Sequence, residues 1–214
     1  MKKKTGIKSE FNRDIRGCLL THELQIRTNK VLPYLLVPTI ETFSSEKPTE
    51  HIGDLYGYRR GSTIYLTHAF TYITPRRNIN EVDTLDRTSH NRIQKNLETL
   101  LATDPKIQRA GDFHSHPLTR ENDYTSNNPN KFFKYLQYHA EYSDSDLMTM
   151  RTNTHDIYLI IAFGPKRVFT QRGKRILPTF SHDLYVETKH FLCLISGWYY
   201  NPKEKKFVMA RVKK

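Results

Sequence analysis

The 214-residue sequence contains no apolar run long enough to cross a membrane. Its longest apolar segment, Ile157 to Phe163, has the length of a buried strand, whereas a transmembrane helix needs roughly 18 apolar residues. The N-terminus reads Met-Lys-Lys-Lys, but polar residues follow where a signal peptide has its apolar region. We therefore expect neither a membrane protein nor a secreted one.

Cysteine is also scarce. The two cysteines, Cys18 and Cys193, are too few for a disulfide framework and do not form a CxxC pair. A reducing cytoplasm is the expected location. The chain has no internal repeat and no low-complexity linker, so its length predicts one domain.

Positive charge is plentiful, because 34 Lys and Arg residues outnumber 22 Asp and Glu residues and give a formal net charge of +12. Clusters of basic residues would suit nucleic acid or an acidic protein surface. They also solvate the surface of ordinary soluble proteins, and no nucleic-acid motif accompanies them here. Charge alone therefore identifies no partner.

Apolar periodicity predicts a series of strands and helices. They are, in chain order, a hairpin of strands at 52–58 and 62–70, a helix at 89–102, a strand at 109–116, an aromatic helix at 130–142, a helix beginning at Ser143, a strand at 157–163, and a strand, a helix and a strand within 176–212. This mixed order predicts an α/β layered domain.

Two histidines stand two residues apart in the Gly111 to Pro117 segment. Residues two apart in a strand point to the same face, so His114 and His116 would present two imidazoles to one ion, and imidazole is a ligand that zinc prefers. A catalytic zinc site adds a third protein ligand and leaves one position to water. An HxH pair alone is weak evidence, because hydrogen-bonded histidines are common.

The segment Ser143-Asp144-Ser145-Asp146 could supply the third ligand. It resembles a capping box, in which Ser143 begins a helix and Asp146 lies in the first turn. A carboxylate in that position would be held rigidly. Upstream, Glu50 precedes a predicted strand and offers another carboxylate.

These three places together resemble the JAMM metalloprotease family, the catalytic class of MPN-type domains. The family pattern is a Glu upstream, then His-x-His-Pro, then Ser-x-x-Asp. This sequence has Glu50, His114-Ser115-His116-Pro117 and Ser143-Asp144-Ser145-Asp146 in the same order. The resemblance covers about residues 30–200.

The resemblance implies a mixed central β-sheet flanked by helices, with cytidine-deaminase-like layering. It places a JAMM/MPN-type domain at 24–200, between a basic N-terminal extension at 1–23 and a basic C-terminal tail at 201–214. Residues 118–142 make the spacing between the His and Ser motifs longer than is usual in the family, and we interpret them as an insertion. This insertion is either a lid over the site or an aromatic helix packed onto the domain.

The implied function is that of a zinc-dependent hydrolase, which cleaves peptide or isopeptide bonds and removes ubiquitin-like or sulfur-carrier-like modifiers from proteins. His114, His116 and Asp146 would hold Zn²⁺. Glu50 would act as general base, and Ser143 would donate a hydrogen bond to the oxyanion.

Several alternatives stay open. The usual family spacing would end at Asn128, a poor zinc ligand, so Asp123 and Asp144 are the next candidates for the third ligand and His139 is a remote one. The chain could instead be a non-catalytic MPN-type scaffold that binds protein partners, or a basic nucleic-acid-associated protein. MPN-type domains often pair, so a homodimer is a further expectation. An amidohydrolase-like barrel would need about 250 residues.

Overall fold

The computed structural model of the protein describes residues 24–43, 50–71, 87–118, 127–152 and 157–214. Within these ranges the chain forms ten strands and four helices. In chain order they are β1 (Gln25–Arg27), α1 (Leu32–Phe43), β2 (Ile52–Arg60), β3 (Thr63–Thr71), α2 (Arg87–Thr103), β4 (Gln108–Pro117), α3 (Pro129–His139), α4 (Asp144–Thr152), β5 (Ile157–Pro165), β6 (Phe169–Gln171), β7 (Lys174–Ile176), β8 (Leu184–Glu187), β9 (Phe191–Asn201) and β10 (Lys206–Lys213).

Seven of the strands form a closed barrel. Neighbouring strands follow the order β10-β1-β3-β2-β4-β5-β9, and β9 pairs back onto β10 with Tyr199 opposite Val208. The first half of β9 pairs with β8 and its second half with β10. β1 is parallel to both of its neighbours, β3 and β10, and β4 is parallel to β5. The domain is therefore mostly β.

The expected mixed central β-sheet flanked by helices, with its cytidine-deaminase-like layering, is wrong. The sheet closes through the pairing of β9 with β10, so α3 and α4 pack on the outside of a barrel and not on one face of an open layer. The buried leucines of α1 join the apolar cluster inside the barrel. The helix predicted within 176–212 is also wrong, because this part of the chain forms strands and turns. β9 is apolar along most of its length and buried on both faces, and periodicity alone does not separate such a strand from a buried helix.

Strand β5 shows how the core is divided. Its odd-numbered residues from 157 to 163 belong to the apolar cluster that β1, β3, β9 and β10 share inside the barrel. Its even-numbered residues from 158 to 162 lie on the outer face, beneath α3 and α4. β5 is therefore apolar throughout, and it supports both β4 and the two helices that cover this side of the barrel.

Helix α3 packs firmly onto the barrel. Asn128 caps its start, because the side chain of this residue accepts hydrogen bonds from two backbone N–H groups of the first turn. Phe132 and Leu136 are fully buried against the outer face of β5 and β9. The buried ring of Phe132 favours the packing role for this half of the predicted insertion. Of its polar half, Leu118 to Asn130, residues 119–126 lie outside the described residues.

The structure describes the predicted C-terminal tail but not the predicted N-terminal extension. Residues 206–213, which the sequence places in a basic tail, form β10 and complete the barrel between β1 and β9. The predicted extension at 1–23 lies outside the described residues. Among the helices that the structure describes, none combines the length and the hydropathy needed to cross a membrane.

Gly111, just before the histidines of β4, adopts a backbone conformation that favours glycine. Its φ is 154°, and a Cβ at this position would lie 1.8 Å from the carbonyl oxygen of Ile157 on β5. We expect Gly111→Ala to lower the free energy of unfolding by about 2–4 kcal/mol, because backbone strain and a clash act together. Chemical denaturation measures the change.

Gly61, in the turn between β2 and β3, provides the matched control. It also has a positive φ, 61°, but nothing lies within 4 Å of its Cβ position. We therefore expect Gly61→Ala to cost only about 1 kcal/mol of conformational strain. Equal losses in the two variants would contradict the assigned clash.

Candidate metal centre

The two histidines of the HxH pair lie side by side on the outer face of β4. Phe113 and Ser115, which alternate with them along the strand, are fully buried. His114 and His116 therefore point to the other face of the strand, towards α3 and α4. His114 lies opposite Ile160 of β5, whose side chain packs beneath α4.

The three predicted metal ligands converge at this point. The candidate ligand atoms of His114, His116 and Asp146 all lie within 4.8 Å of one another. The two histidine Nε2 atoms are 3.1 Å apart, and Nε2 of His114 lies 3.3 Å from Oδ1 of Asp146. Tetrahedral zinc, with bonds of about 2.0–2.1 Å, places neighbouring donor atoms about 3.3 Å apart. Two imidazoles and a carboxylate at these separations therefore fit zinc, with one position left for water.

A backbone contact orients the ring of His116. Its Nδ1 lies 2.8 Å from the carbonyl oxygen of His139, at the end of α3. Since a carbonyl oxygen only accepts, Nδ1 carries the hydrogen, and Nε2 keeps its lone pair available for a metal. The sequence suggested His139 only through its imidazole. No sequence signal marks a backbone carbonyl, because every residue has one.

Ser143 and Asp146 form a capping box at the start of α4. The N–H and the hydroxyl of Ser143 each donate to Oδ2 of Asp146 at 2.7 Å, and the Asp146 N–H donates back to the Ser143 hydroxyl oxygen at 3.2 Å. Both Ser143 donors use Oδ2, so Oδ1 is the oxygen that faces His114. The helix cap thus fixes the carboxylate against the histidines.

Glu50 lies beside the three ligands. Its Oε1 is 4.0 Å from Nε2 of His116, and its side chain is 16% exposed. The following residue, His51, is tied to β4, because its N–H donates to Oγ of Ser115 and its carbonyl accepts from the Ser115 N–H, both at 2.9 Å. Ser115 is fully buried, so this pair of hydrogen bonds fixes the Glu50 segment against the strand that carries the histidines.

The electrostatics of the cluster favour positive charge at His114. Burial by itself would lower the pKa of His114, but the hydrogen bond and charge of Asp146, together with the charge of Glu50, raise it. Burial and the neighbouring His114 lower the pKa of His116 to about 4. Burial would raise the pKa of Asp146, but the hydrogen bonds from His114 and Ser143 hold it well below its usual value. The carboxylate is therefore ionised and available to a cation.

The other candidate ligands do not join this cluster. Asp144 lies in the first turn of α4, outside the one group of described residues with metal-ligand geometry. Asn128, where the usual family spacing would end, caps α3 with its side chain. Asp123 lies outside the described residues. Asp146 is therefore the carboxylate that the structure brings to the histidines.

Comparisons with known proteins leave the function open. No family model matches the sequence, and no curated protein matches it. One similar solved structure is the solution structure of protein DSY2949 from Desulfitobacterium hafniense, with a TM-score of 0.47 and 14% identity over 89% of this chain and 92% of that one. Another is a protein from Salinibacter ruber, with a TM-score of 0.43 and 13% identity over 88% of this chain and 90% of that one. Neither similarity is strong enough to carry an argument about function.

Proposed function

We propose that this protein is a JAMM-type zinc hydrolase that cleaves peptide or isopeptide bonds. The observation that carries the proposal is the convergence of His114, His116 and Asp146, with Glu50 beside them. The proposed substrates are proteins that carry ubiquitin-like or sulfur-carrier-like modifiers. This substrate class follows from the resemblance in the sequence and rests on the same four residues.

His114, His116 and Asp146 would hold the metal. When bound, zinc would lower the pKa of a coordinated water towards 7 and polarise the scissile carbonyl. The chain prepares these ligands in two ways. The carbonyl of His139 fixes the tautomer of His116, and the cap at Ser143 fixes the orientation of Asp146.

Glu50 fits the role of general base. Its carboxylate lies next to the ligand atoms and is largely shielded from bulk solvent. Oε1 would accept a proton from the attacking water, and the same proton would then pass to the leaving amine. Ser115, through its two hydrogen bonds with His51, holds this segment in place.

Ser143 would have two tasks. In the structure its hydroxyl donates to Asp146, and we propose that it turns to the oxyanion of the tetrahedral intermediate during the reaction. The backbone N–H of Ser143 also donates to Asp146, and it would keep the ligand in place meanwhile. The hydroxyl and the backbone N–H thus divide catalysis and ligand support between them.

We therefore expect Ser143→Ala to retain zinc while kcat falls about 100- to 1000-fold. The variant loses the oxyanion donor but keeps the N–H that holds Asp146. Elemental analysis and turnover, measured on one sample, separate these effects. Zinc lost together with activity would assign Ser143 a supporting role only.

The hydrolase proposal is tested with the full-length protein loaded with one equivalent of zinc. We expect cleavage of at least one isopeptide-linked ubiquitin-like conjugate or one sulfur-carrier-like precursor. A chelator should abolish cleavage, and added zinc should restore it. A zinc-loaded protein that cleaves no member of such a panel would favour the non-catalytic MPN-type scaffold.

We also propose that the protein acts in the cytoplasm. Cys193 is a free thiol buried in the barrel, and burial raises its pKa to about 12. A thiol of this kind is unreactive and packs as a small apolar side chain. It therefore suits a reducing compartment.

A homodimer is a separate expectation, which the mass in solution would test.

A further inference from the structure

A basic cleft on the outer face of the barrel lies away from the candidate metal centre. Its volume is about 240 Å³, and its lining includes Tyr58 of β2 and Tyr65 of β3. Tyr58 stands six residues along β2 from Ile52, the residue that pairs with His114. At the rise of an extended strand this is about 20 Å. The cleft and the metal centre are therefore separate sites.

Three side chains of the cleft form a row across three neighbouring strands. The register places Arg27 of β1 beside Tyr65, and Tyr65 beside Tyr58. Ile26 and Ile64, which precede Arg27 and Tyr65 in their strands, are buried inside the barrel, so the row faces outward. The rings of Tyr58 and Tyr65 stack with centroids 5.1 Å apart and an interplanar angle of 11°.

Basic side chains surround these rings. Arg27, Lys30 and Lys214 line the cleft, and no carboxylate side chain does. A hydrogen bond of 3.0 Å from the Arg27 guanidinium to the main-chain oxygen of Lys214 fixes the arginine beside the rings. The whole chain carries a net charge of +12, so an anionic partner is attracted at long range as well.

We propose that this cleft binds one nucleotide of a single-stranded nucleic acid, with its base on the ring of Tyr58 and its phosphate near Arg27 and Lys30. Tyr58 is 36% exposed beside its stacking partner Tyr65, and the base would lie against this exposed part of the residue. Aromatic rings beside a basic groove bind single strands without reading their sequence. An acidic protein segment would use the cations but has no need of a stacked pair of rings.

The size of the cleft agrees with this occupant. Pockets for drug-sized ligands have volumes of roughly 300–1,000 Å³, and the cleft is smaller. It therefore suits a single unit of a strand that continues over the basic surface. A nucleic-acid duplex, in which the bases are already stacked and paired, offers no free base for Tyr58.

Fluorescence anisotropy with the full-length protein and a labelled single-stranded oligonucleotide of about ten nucleotides tests the proposal. We expect Tyr58→Leu to weaken binding about 10-fold or more, because it removes the stacking ring, whereas Tyr58→Phe should bind like the wild type. Lys30→Ala should make the fall of log affinity with log salt concentration less steep, by about 0.7 in the slope. Tyr138→Leu and Lys203→Ala replace exposed residues elsewhere and should leave binding unchanged.

Four results would overturn the proposal. They are the absence of single-strand binding by the wild type, equal losses in Tyr58→Leu and Tyr138→Leu, equally strong binding of free mononucleotides, and full competition by polyglutamate. Thermal unfolding of each variant separates a lost contact from a lost fold. Tyr58→Leu should keep the zinc content of the wild type. A failure of this inference can therefore be distinguished from a failure of the hydrolase proposal.

Discussion

Replacing both histidines, as His114→Ala together with His116→Ala, should reduce bound zinc from about one ion per chain to nearly none. The variant keeps only one of the three protein ligands, and a lone carboxylate does not hold zinc. Turnover should disappear with the metal. Elemental analysis of the purified protein, followed by an assay of the same sample, measures both effects.

His190→Ala is the matched control, because His190 is exposed and lies between β8 and β9. It should keep full zinc content. Asp146→Asn and Asp144→Asn form a second pair, in which only the first should lose the metal. Zinc at full occupancy in the double histidine variant would show that the ion binds elsewhere.

Glu50→Gln should keep the zinc and lower kcat by about 100- to 10,000-fold. The amide is close to the carboxylate in shape, but it cannot accept the proton of the attacking water. Because Glu50 lies beside the metal ligands and is not part of their close group, its replacement should leave metal content unchanged. Zinc content and kcat, determined together, distinguish a general base from a ligand.

The rival bases along the chain are Glu46, which lies outside the described residues, and Glu41, whose side chain does too. Glu141→Gln is the matched control near the site, since Glu141 is exposed between α3 and α4. It should behave like the wild type. Activity that survives in Glu50→Gln and disappears in Glu46→Gln would move the base to Glu46.

Much of the candidate site was predictable from the sequence, because local geometry determines each of its motifs. The two-residue period of a strand places His114 and His116 on one face, and a capping box fixes Asp146 in the first turn of a helix. The hydrogen bond between the His139 carbonyl and the His116 ring could not be predicted in this way. This contact depends on where the end of α3 lies relative to β4, and the side chain of His139 does not determine that position.

The fold was predictable in its parts but not in its closure. The hairpin of β2 and β3 and the buried strand β5 follow from short-range periodicity and agree with the predicted segments. The barrel depends on β1, only three residues long, lying between β3 and β10. No local pattern specifies such a long-range pairing, so the expected layered sheet was wrong.

The position of β1 also determines when the barrel can be completed during translation. Gln25 pairs with Arg211, so the contact spans 211 − 25 = 186 positions of the chain. A nascent chain can join β1 to β3 early, but the other edge of β1 stays unpaired until β10 has left the ribosome. Protection of that edge by a chaperone would therefore matter for as long as the segment between β3 and β10 is being made, because the barrel is still open during that time.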